Sequence, residues 1–248
     1  MTKSSGSQVF GLGDMLFAGC TTDINTLSVL SFVQTDALID DIRKLVSSDA
    51  RYAHVSKSTT DQTYCFEGVG AVFIEAGISN SIYDSLELVK KIRLTSPSAC
   101  IFILVTFSKS FASLEYYLAG ADYCIKLPSS ADEKSELLRR SINDSRWKNT
   151  TPLYLDRTRL LLSSPTEKLE ISYTEMTIID ALLRAPQYVM SQDSIAKTLD
   201  PNIIFYDPRA LEKTISRLRT KIKKTYHLEL IISVRAFGYR LLRGTVTG

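Results

Sequence analysis

The sequence predicts two domains: an α/β domain on a five-stranded parallel sheet, then a smaller α+β domain whose last helix leads into a β-hairpin. Three observations carry this expectation. At 248 residues the chain is long enough for two hydrophobic cores. Through residue 145, short apolar runs alternate with amphipathic helical runs, the pattern of repeated βα units with helices on both faces of a sheet. The charge is also divided. Residues 1–150 carry 15 Lys+Arg against 17 Asp+Glu, a net −2, and residues 151–248 carry 15 against 10, a net +5. A basic second half fits a polyanionic partner there and not in the first half.

Taken in order, residues 1–26 read as a weakly ordered tail or a pairing segment. Phe17-Ala18-Gly19-Cys20 resembles a lipoprotein cleavage site. Only Lys3 is basic before it, and Asp14 and three glycines interrupt any apolar core, so export is not expected. VLSFV at 29–33 is a buried strand. Residues 37–47 place Leu38, Ile42, Leu45 and Val46 at helical spacing, and Ala53 to Ser56 form a short strand. GAVFI at 70–74 is the third strand. Residues 82–94 set Ile82, Leu86, Val89 and Ile92 on one helical face. CIFILV at 100–105 is a long apolar strand, 110–120 a helix closed by Gly120, 122–127 the last strand, and 129–142 a helix with a Ser/Asp-rich start. Residues 143–152, NDSRWKNTTP, are polar and Pro-ended, a linker in which Trp147 docks on one domain.

In the second half, Ser172 with Glu175 is a capping box opening a helix, and Ser191 caps the next one. Residues 209–222, RALEKTISRLRTKI, have two unlike faces. Leu211, Ile215, Leu218 and Ile222 form an apolar stripe, and Arg209, Lys213, Arg217, Lys221 and Lys224 line another side. Such a helix is either a solvated surface helix or one that lies in the major groove of DNA, where phosphates reward the cations. LIISVRAFGYRLL at 230–242 reads as a hairpin with Gly238 in or next to the turn and Arg235 near the tip.

The basic helix followed by an arginine-bearing hairpin resembles the winged helix-turn-helix domain of OmpR/PhoB-type response regulators, and the likeness extends back over about the last hundred residues: 171–183 looks like their first helix, 185–199 like the turn and second helix, and LYLD at 153–156 with KLEI at 168–171 like the small preceding sheet. The first half resembles their receiver domain, a flavodoxin/CheY-like fold, with AGADYCIKLP as its most specific stretch. The domains expected are a tail at 1–26, a receiver-like domain at 27–145, a linker at 146–152 and a DNA-binding domain at 153–243. The resemblance implies a transcription regulator in the cytoplasm, with double-stranded DNA of repeated half-sites as partner. It implies a homodimer through about 109–145, where Lys109, Glu115, Glu133, Lys134, Arg139 and Arg140 accompany Phe111, Leu114, Tyr116, Tyr117 and Leu118. It also implies contact with RNA polymerase through 200–208, where Ile203, Ile204, Phe205 and Tyr206 either pack down or dock a partner.

The strand ends depart from the family. A receiver has an Asp phosphoacceptor after its third strand, two acids for magnesium after the first, a Thr or Ser after the fourth and a Lys in the fifth. Here Glu75 stands at the phosphoacceptor position, at most Asp36 remains of the two acids, and Thr106 matches. Lys126 matches when aligned on Tyr123, the switch-equivalent aromatic, but Leu127 takes its place when aligned on Pro128. One residue of slippage reverses the face. Two readings of Glu75 stand. It imitates a phosphorylated Asp by reaching toward Thr106 and Lys126, which makes the domain a pseudo-receiver, or it is a polar strand-end residue in a structural domain. Magnesium is weakened either way, because it wants oxygen ligands in near-octahedral order.

For base contacts the sequence favours Arg217 and Lys213, one turn apart, with Ala210 on a thymine methyl. Arg209, Thr214, Ser216, Arg219 and Lys221 suit phosphates, and Arg235 the minor groove or backbone. Cys20, Cys65, Cys100 and Cys124 form no CxxC, and with only His54 and His227 beside them no zinc site is expected. Cys100 and Cys124 are small core residues. No cofactor is implied. No nucleophile–base constellation or phosphate loop appears, so an enzyme is not expected, and no stretch reaches the roughly 18 apolar residues of a membrane span. Three functions compete: a phosphate-independent dimeric activator, a regulator phosphorylated on an unusual acceptor or switched by a ligand or partner on the receiver, and a docking module whose basic helix is incidental.

Overall fold

Runs of apolar and β-branched residues build the sheet of the first unit. In the computed structural model, which describes residues 28–46, 50–55, 66, 68–76, 82–106, 111–148 and 152–248, five parallel strands are β1 (Ser28–Phe32), β2 (Arg51–His54), β3 (Val69–Ala76), β4 (Cys100–Val105) and β5 (Tyr123–Lys126), in the order β2-β1-β3-β4-β5. The tail at 1–26, Cys20, Cys65 and Lys109 lie outside the described residues. The helices are α1 (Asp36–Val46), α2 (Ile82–Thr95), α3 (Ser113–Ala119) and α4 (Ala131–Asn143). Side chains alternate along each strand, so the sheet has two apolar faces. Ala71, Phe73, Phe102, Leu104, Ile125 and Leu127 meet α1 and α4 through Leu38, Ile42, Leu138 and Ile142. Val72, Ile74, Ile101 and Ile103 meet α2 and α3 through Val89, Ile92 and Tyr116. β4 is an interior strand buried at all six positions, each large side chain contributing about 1.5–3 kcal/mol. Gly120 ends α3 in the left-handed region at φ 114°, as its helix-capping place requires.

The second unit has a sheet of β6 (Leu153–Asp156), β7 (Leu161–Ser163), β8 (Lys168–Glu170) and β12 (Val246–Thr247), in the order β12-β6-β7-β8. Helices α5 (Tyr173–Arg184), α6 (Gln192–Leu199) and α7 (Pro208–Tyr226) share one core with it. A second sheet joins β9 (Val189–Ser191), β10 (Ile231–Val234) and β11 (Gly238–Leu241) in the order β10-β11-β9. This is the winged-helix arrangement. The capping box is present, Ser172 Oγ accepting from Glu175 N–H and Glu175 accepting from Ser172 N–H, and Ser191 caps α6. β7, β9 and β12 were not expected; at two or three residues each they are too short to show a period. β12 pairs with β6, carrying this unit to Thr247, past the expected limit of 243.

Gly238 marks the crossing of β11 and β9. A Cβ there would stand 2.3 Å from the Met190 carbonyl oxygen and 2.8 Å from the Gln192 nitrogen, both backbone atoms that cannot swing away. Gly238→Ala is expected to force the strands apart at a cost of about 2 kcal/mol, read as a lower Tm by calorimetry. An unchanged Tm would show that the crossing is loose.

A buried seam joins the two units. Asp122, 1% exposed, accepts from Arg93 Nη2 at 2.8 Å and Arg146 Nη2 at 3.0 Å, and from the Ile101 N–H at 2.9 Å. Arg243, from the C-terminal unit, brings Nε to 3.4 Å, close enough for ionic attraction but without hydrogen-bond geometry. Arg240 of β11 is buried over Tyr117 at 4.4 Å and Tyr123 at 5.8 Å, and Arg243 lies 4.7 Å from the Tyr188 ring. Tyr123 also stacks on Phe102 at 5.0 Å and accepts the Arg146 N–H through its hydroxyl. The expected dimer segment is therefore partly covered by the chain's own C-terminal unit. Trp147 docks edge-on to Phe73 of the first unit.

Candidate nucleic-acid interface and receiver pocket

α7 starts because Asp207 caps it, its carboxylate accepting the Arg209 N–H, and because Pro208 sits where a missing N–H costs nothing. It ends at His227 in the left-handed region. Leu211, Ile215, Leu218, Ile222 and Tyr226 bury one side, one residue further than expected. With ~100° per residue, Arg209, Lys213 and Arg217 fall on the opposite side. All three are exposed and none has an ion pair or side-chain hydrogen bond among the described residues. Ala210 and Ser216 are exposed on the same helix, and the Thr214 hydroxyl donates back to the Ala210 carbonyl. Arg235 stands exposed in the hairpin turn, followed by Ala236 at φ 56°.

Two residues expected on phosphates have other partners. Lys221 Nζ lies 2.8 Å from Glu175 Oε2, tying α7 to the start of α5. This holds the Glu175 carboxyl below its ordinary range although burial pulls it the other way. Arg219 donates to the Ile231 carbonyl at 2.7 Å and the Ser233 hydroxyl at 3.0 Å, and lies 5.3 Å from the Tyr239 ring. Its donors face the hairpin, so the expectation of a phosphate contact is corrected to one of an internal brace. In the loop before α7, Tyr206 donates to Asp193 at 2.7 Å, while Ile204 and Phe205 are 85% and 92% exposed. The loop thus packs at one end and projects at its centre.

At the strand ends, Glu75 closes its own pocket. Oε2 accepts the Gln34 and Thr35 N–H groups at 2.8 and 3.0 Å, and Oε1 accepts the Thr35 and Thr106 hydroxyls at 2.7 and 3.0 Å. The turn that supplies these donors leads directly into α1, so the carboxylate also benefits from that helix's N-terminus. Lys126 is corrected. β5 pairs Lys126 with Val105, Ile125 and Leu127 point into the α1–α4 face, and Lys126 is exposed on the other parity. Glu75 follows Phe73 in parity and so shares its face with Leu127, which takes the place expected for a lysine. Asp36 is exposed at the first position of α1. These residues do not fit magnesium. Both Glu75 oxygens are already doubly hydrogen-bonded, and Asp36 is the one further acid in the turn.

Sequence reasoning missed the Asp122 cage and the covered Arg240. The available signal was an arginine inside the apolar strand GYRLL, which demands a cover for that face. Cys100 is buried and Cys124 half-buried in the core, where burial pushes the Cys124 thiol up to about 12, leaving it unreactive. Among the described residues no helix is long and apolar enough to cross a membrane, and no cluster of three or more His, Cys, Asp or Glu residues forms a metal site.

Residues 166–241 match the family described as "Transcriptional regulatory protein, C terminal". The transcriptional regulatory protein PhoP of Escherichia coli is 29% identical over 161 residues, covering 63% of this chain and 72% of its own length. The C-terminal unit therefore carries a transcriptional-regulator DNA-binding domain, and the chain is similar to response regulators of the OmpR/PhoB type. Among solved structures, response regulator DrrB, a Thermotoga maritima OmpR/PhoB homologue, is 15% identical, covering 87% of this chain and 99% of its own, with a TM-score of 0.40. The C-terminal domain of the nisin resistance regulator NsrR is 34% identical, covering 38% and 93%, with a TM-score of 0.33.

Proposed function

We propose that this response regulator is a homodimeric, sequence-specific transcription activator that binds DNA without phosphorylation of a degenerate receiver. The observation that carries DNA reading is the outer face of α7, where Arg209, Lys213 and Arg217 are exposed and have no ion pair or side-chain hydrogen bond among the described residues, while the opposite stripe is buried. Arg217 and Lys213 are assigned to base edges, with Ala210 against a thymine methyl. Arg209, Thr214 and Ser216 are assigned to phosphates, and Arg235 to the minor groove or the adjacent backbone. Residues 27–145 form the receiver-like domain, 146–152 the linker, and 153 onward the DNA-binding domain. Exposed Ile204 and Phe205 are the surface for RNA polymerase.

Phosphate independence is supported by Glu75, whose carboxylate already occupies the site and contacts Thr106. With a phosphodonor and magnesium, no phosphate transfer to the protein is expected; stable incorporation would refute this part. Glu75→Gln turns an amide toward two backbone N–H donors and is expected to cost about 1–3 kcal/mol in thermal or urea unfolding. The decisive test of DNA reading is selection from a random-sequence pool with unphosphorylated protein. Enrichment of a half-site repeated at about one helical turn is expected. A pool that stays random would overturn the proposal.

A second reading, in which a signal on the receiver-like domain switches the protein, is favoured by the seam. Arg240 covers Tyr117 and Tyr123 on the segment assigned to dimerisation. That reading expects a monomer until the two units part.

A further inference from the structure

We infer that Arg219 is a positioning residue: it fixes the hairpin against α7 so that Arg235 and Arg217 reach one duplex together. The inference rests on the DNA reading proposed above. Leu242 N–H donates to the Leu230 carbonyl at 2.9 Å. Alternation along β10 then turns the Ile231 carbonyl away from β11. β10 is the outer strand of the sheet, so that carbonyl lies on an open edge. Arg219 covers it. Its Nε reaches the Ile231 oxygen, its Nη2 reaches the Ser233 hydroxyl, and its guanidinium lies over the Tyr239 ring on the neighbouring strand. Three contacts from one planar group set both the distance and the angle of the hairpin.

The other side of the hairpin is already anchored. β11 pairs with β9 from Gly238↔Ser191 to Arg240↔Val189. The outer strand has no strand beyond it, and the turn carrying Arg235 extends from that strand. Position on α7 agrees. Two residues beyond Arg217, Arg219 is rotated about 160° from it around the helix, off the DNA-facing row. A lysine would keep the charge and lose the fork, since an ammonium is a point donor that cannot hold two acceptors in plane and stack on a ring.

The test measures affinity of the full-length protein for the selected site at several salt concentrations, with Arg219→Ala, Arg219→Lys, Arg235→Ala and the Arg219→Ala/Arg235→Ala double variant. Arg219→Ala and Arg219→Lys are both expected to bind about tenfold more weakly. The double variant should be no weaker than Arg219→Ala alone, because contacts acting through one element are not additive. Hydroxyl-radical footprints should lose the hairpin's protection and keep that of α7. Ser233→Ala, which removes one acceptor only, should lose about threefold and folds without risk to the core, as Ser233 is exposed. Wild-type binding by Arg219→Lys, or losses from Arg219→Ala and Arg235→Ala that multiply, would overturn the brace and return Arg219 to a phosphate. The random-pool selection separates the two readings. If the wild-type protein enriches no half-site, the DNA reading itself fails; if it enriches one while Arg219→Lys binds it like wild type, only the brace fails.

Discussion

Replacing Asp122 by Asn is expected to lower the unfolding free energy by about 3–5 kcal/mol, the largest stability loss of any single substitution proposed for this chain. The reason is the imbalance around it. One carboxylate faces Arg93, Arg146 and Arg243 inside the seam. Burial raises the cost of ionising Asp122, but Arg146 and Arg93 outweigh it and hold the carboxyl below its ordinary 3.8. Arg243 shows the reverse strain: burial, then the nearby Arg93, pushes it down to about 10. An Asn removes the charge and turns an amide toward guanidinium donors, leaving three cations without an anion. The pH dependence follows from the depressed carboxyl. Its stabilisation is present in full above the unfolded value of 3.8 and is lost as pH falls through the lower folded value. Urea unfolding should therefore separate wild type from Asp122→Asn at pH 7 and bring them together in strong acid. Arg243→Gln should be the milder change, since it removes a surplus cation. A pH 7 difference under about 1 kcal/mol would mean the arginines are neutralised by something other than Asp122.

What the sequence reveals depends on how far apart the interacting residues lie. β4 was legible because CIFILV is apolar at every position, as an interior strand covered on both faces must be. The capping box was legible because Ser172 and Glu175 are three residues apart, and the α7 stripe because it repeats at helical spacing. Glu75 was half legible. Its approach to Thr106 follows from adjacent strand ends, but the Gln34 and Thr35 donors lie 41 and 40 residues away and depend on how the turn before α1 folds. Lys126 was ambiguous by one residue, and only the pairing of Val105 with Lys126 assigns its face. The roles of Arg219, Arg240 and Arg243 were illegible for one common reason. An arginine that braces a hairpin or lies in a seam has the same local pattern as one in solvent, and its partners come from other elements.

Arg217→Ala is expected to cost about 1–3 kcal/mol of discrimination at a single base pair and to relax preference there while leaving the other positions of the site intact. Arg209→Ala, on the same face near the helix start, is expected instead to weaken all sequences alike and to reduce the salt slope by about one. The contrast comes from where each residue lies. Arg217 sits two turns into α7 with its guanidinium exposed and without a partner among the described residues, so its fork is available for the two acceptors of a guanine edge. Arg209 stands exposed in the first turn of α7, at the end of the cationic row, where its side chain reaches outward to a phosphate at the groove edge. Lys221→Ala supplies the internal control, because its ammonium serves Glu175, and its loss should appear mainly in stability and little in DNA affinity. Binding to a library of single-base variants of the selected site reads all three at once. A uniform loss for Arg217→Ala across that library would place Arg217 on the backbone, and the base-reading role would then fall to Lys213, one turn earlier on the same exposed face.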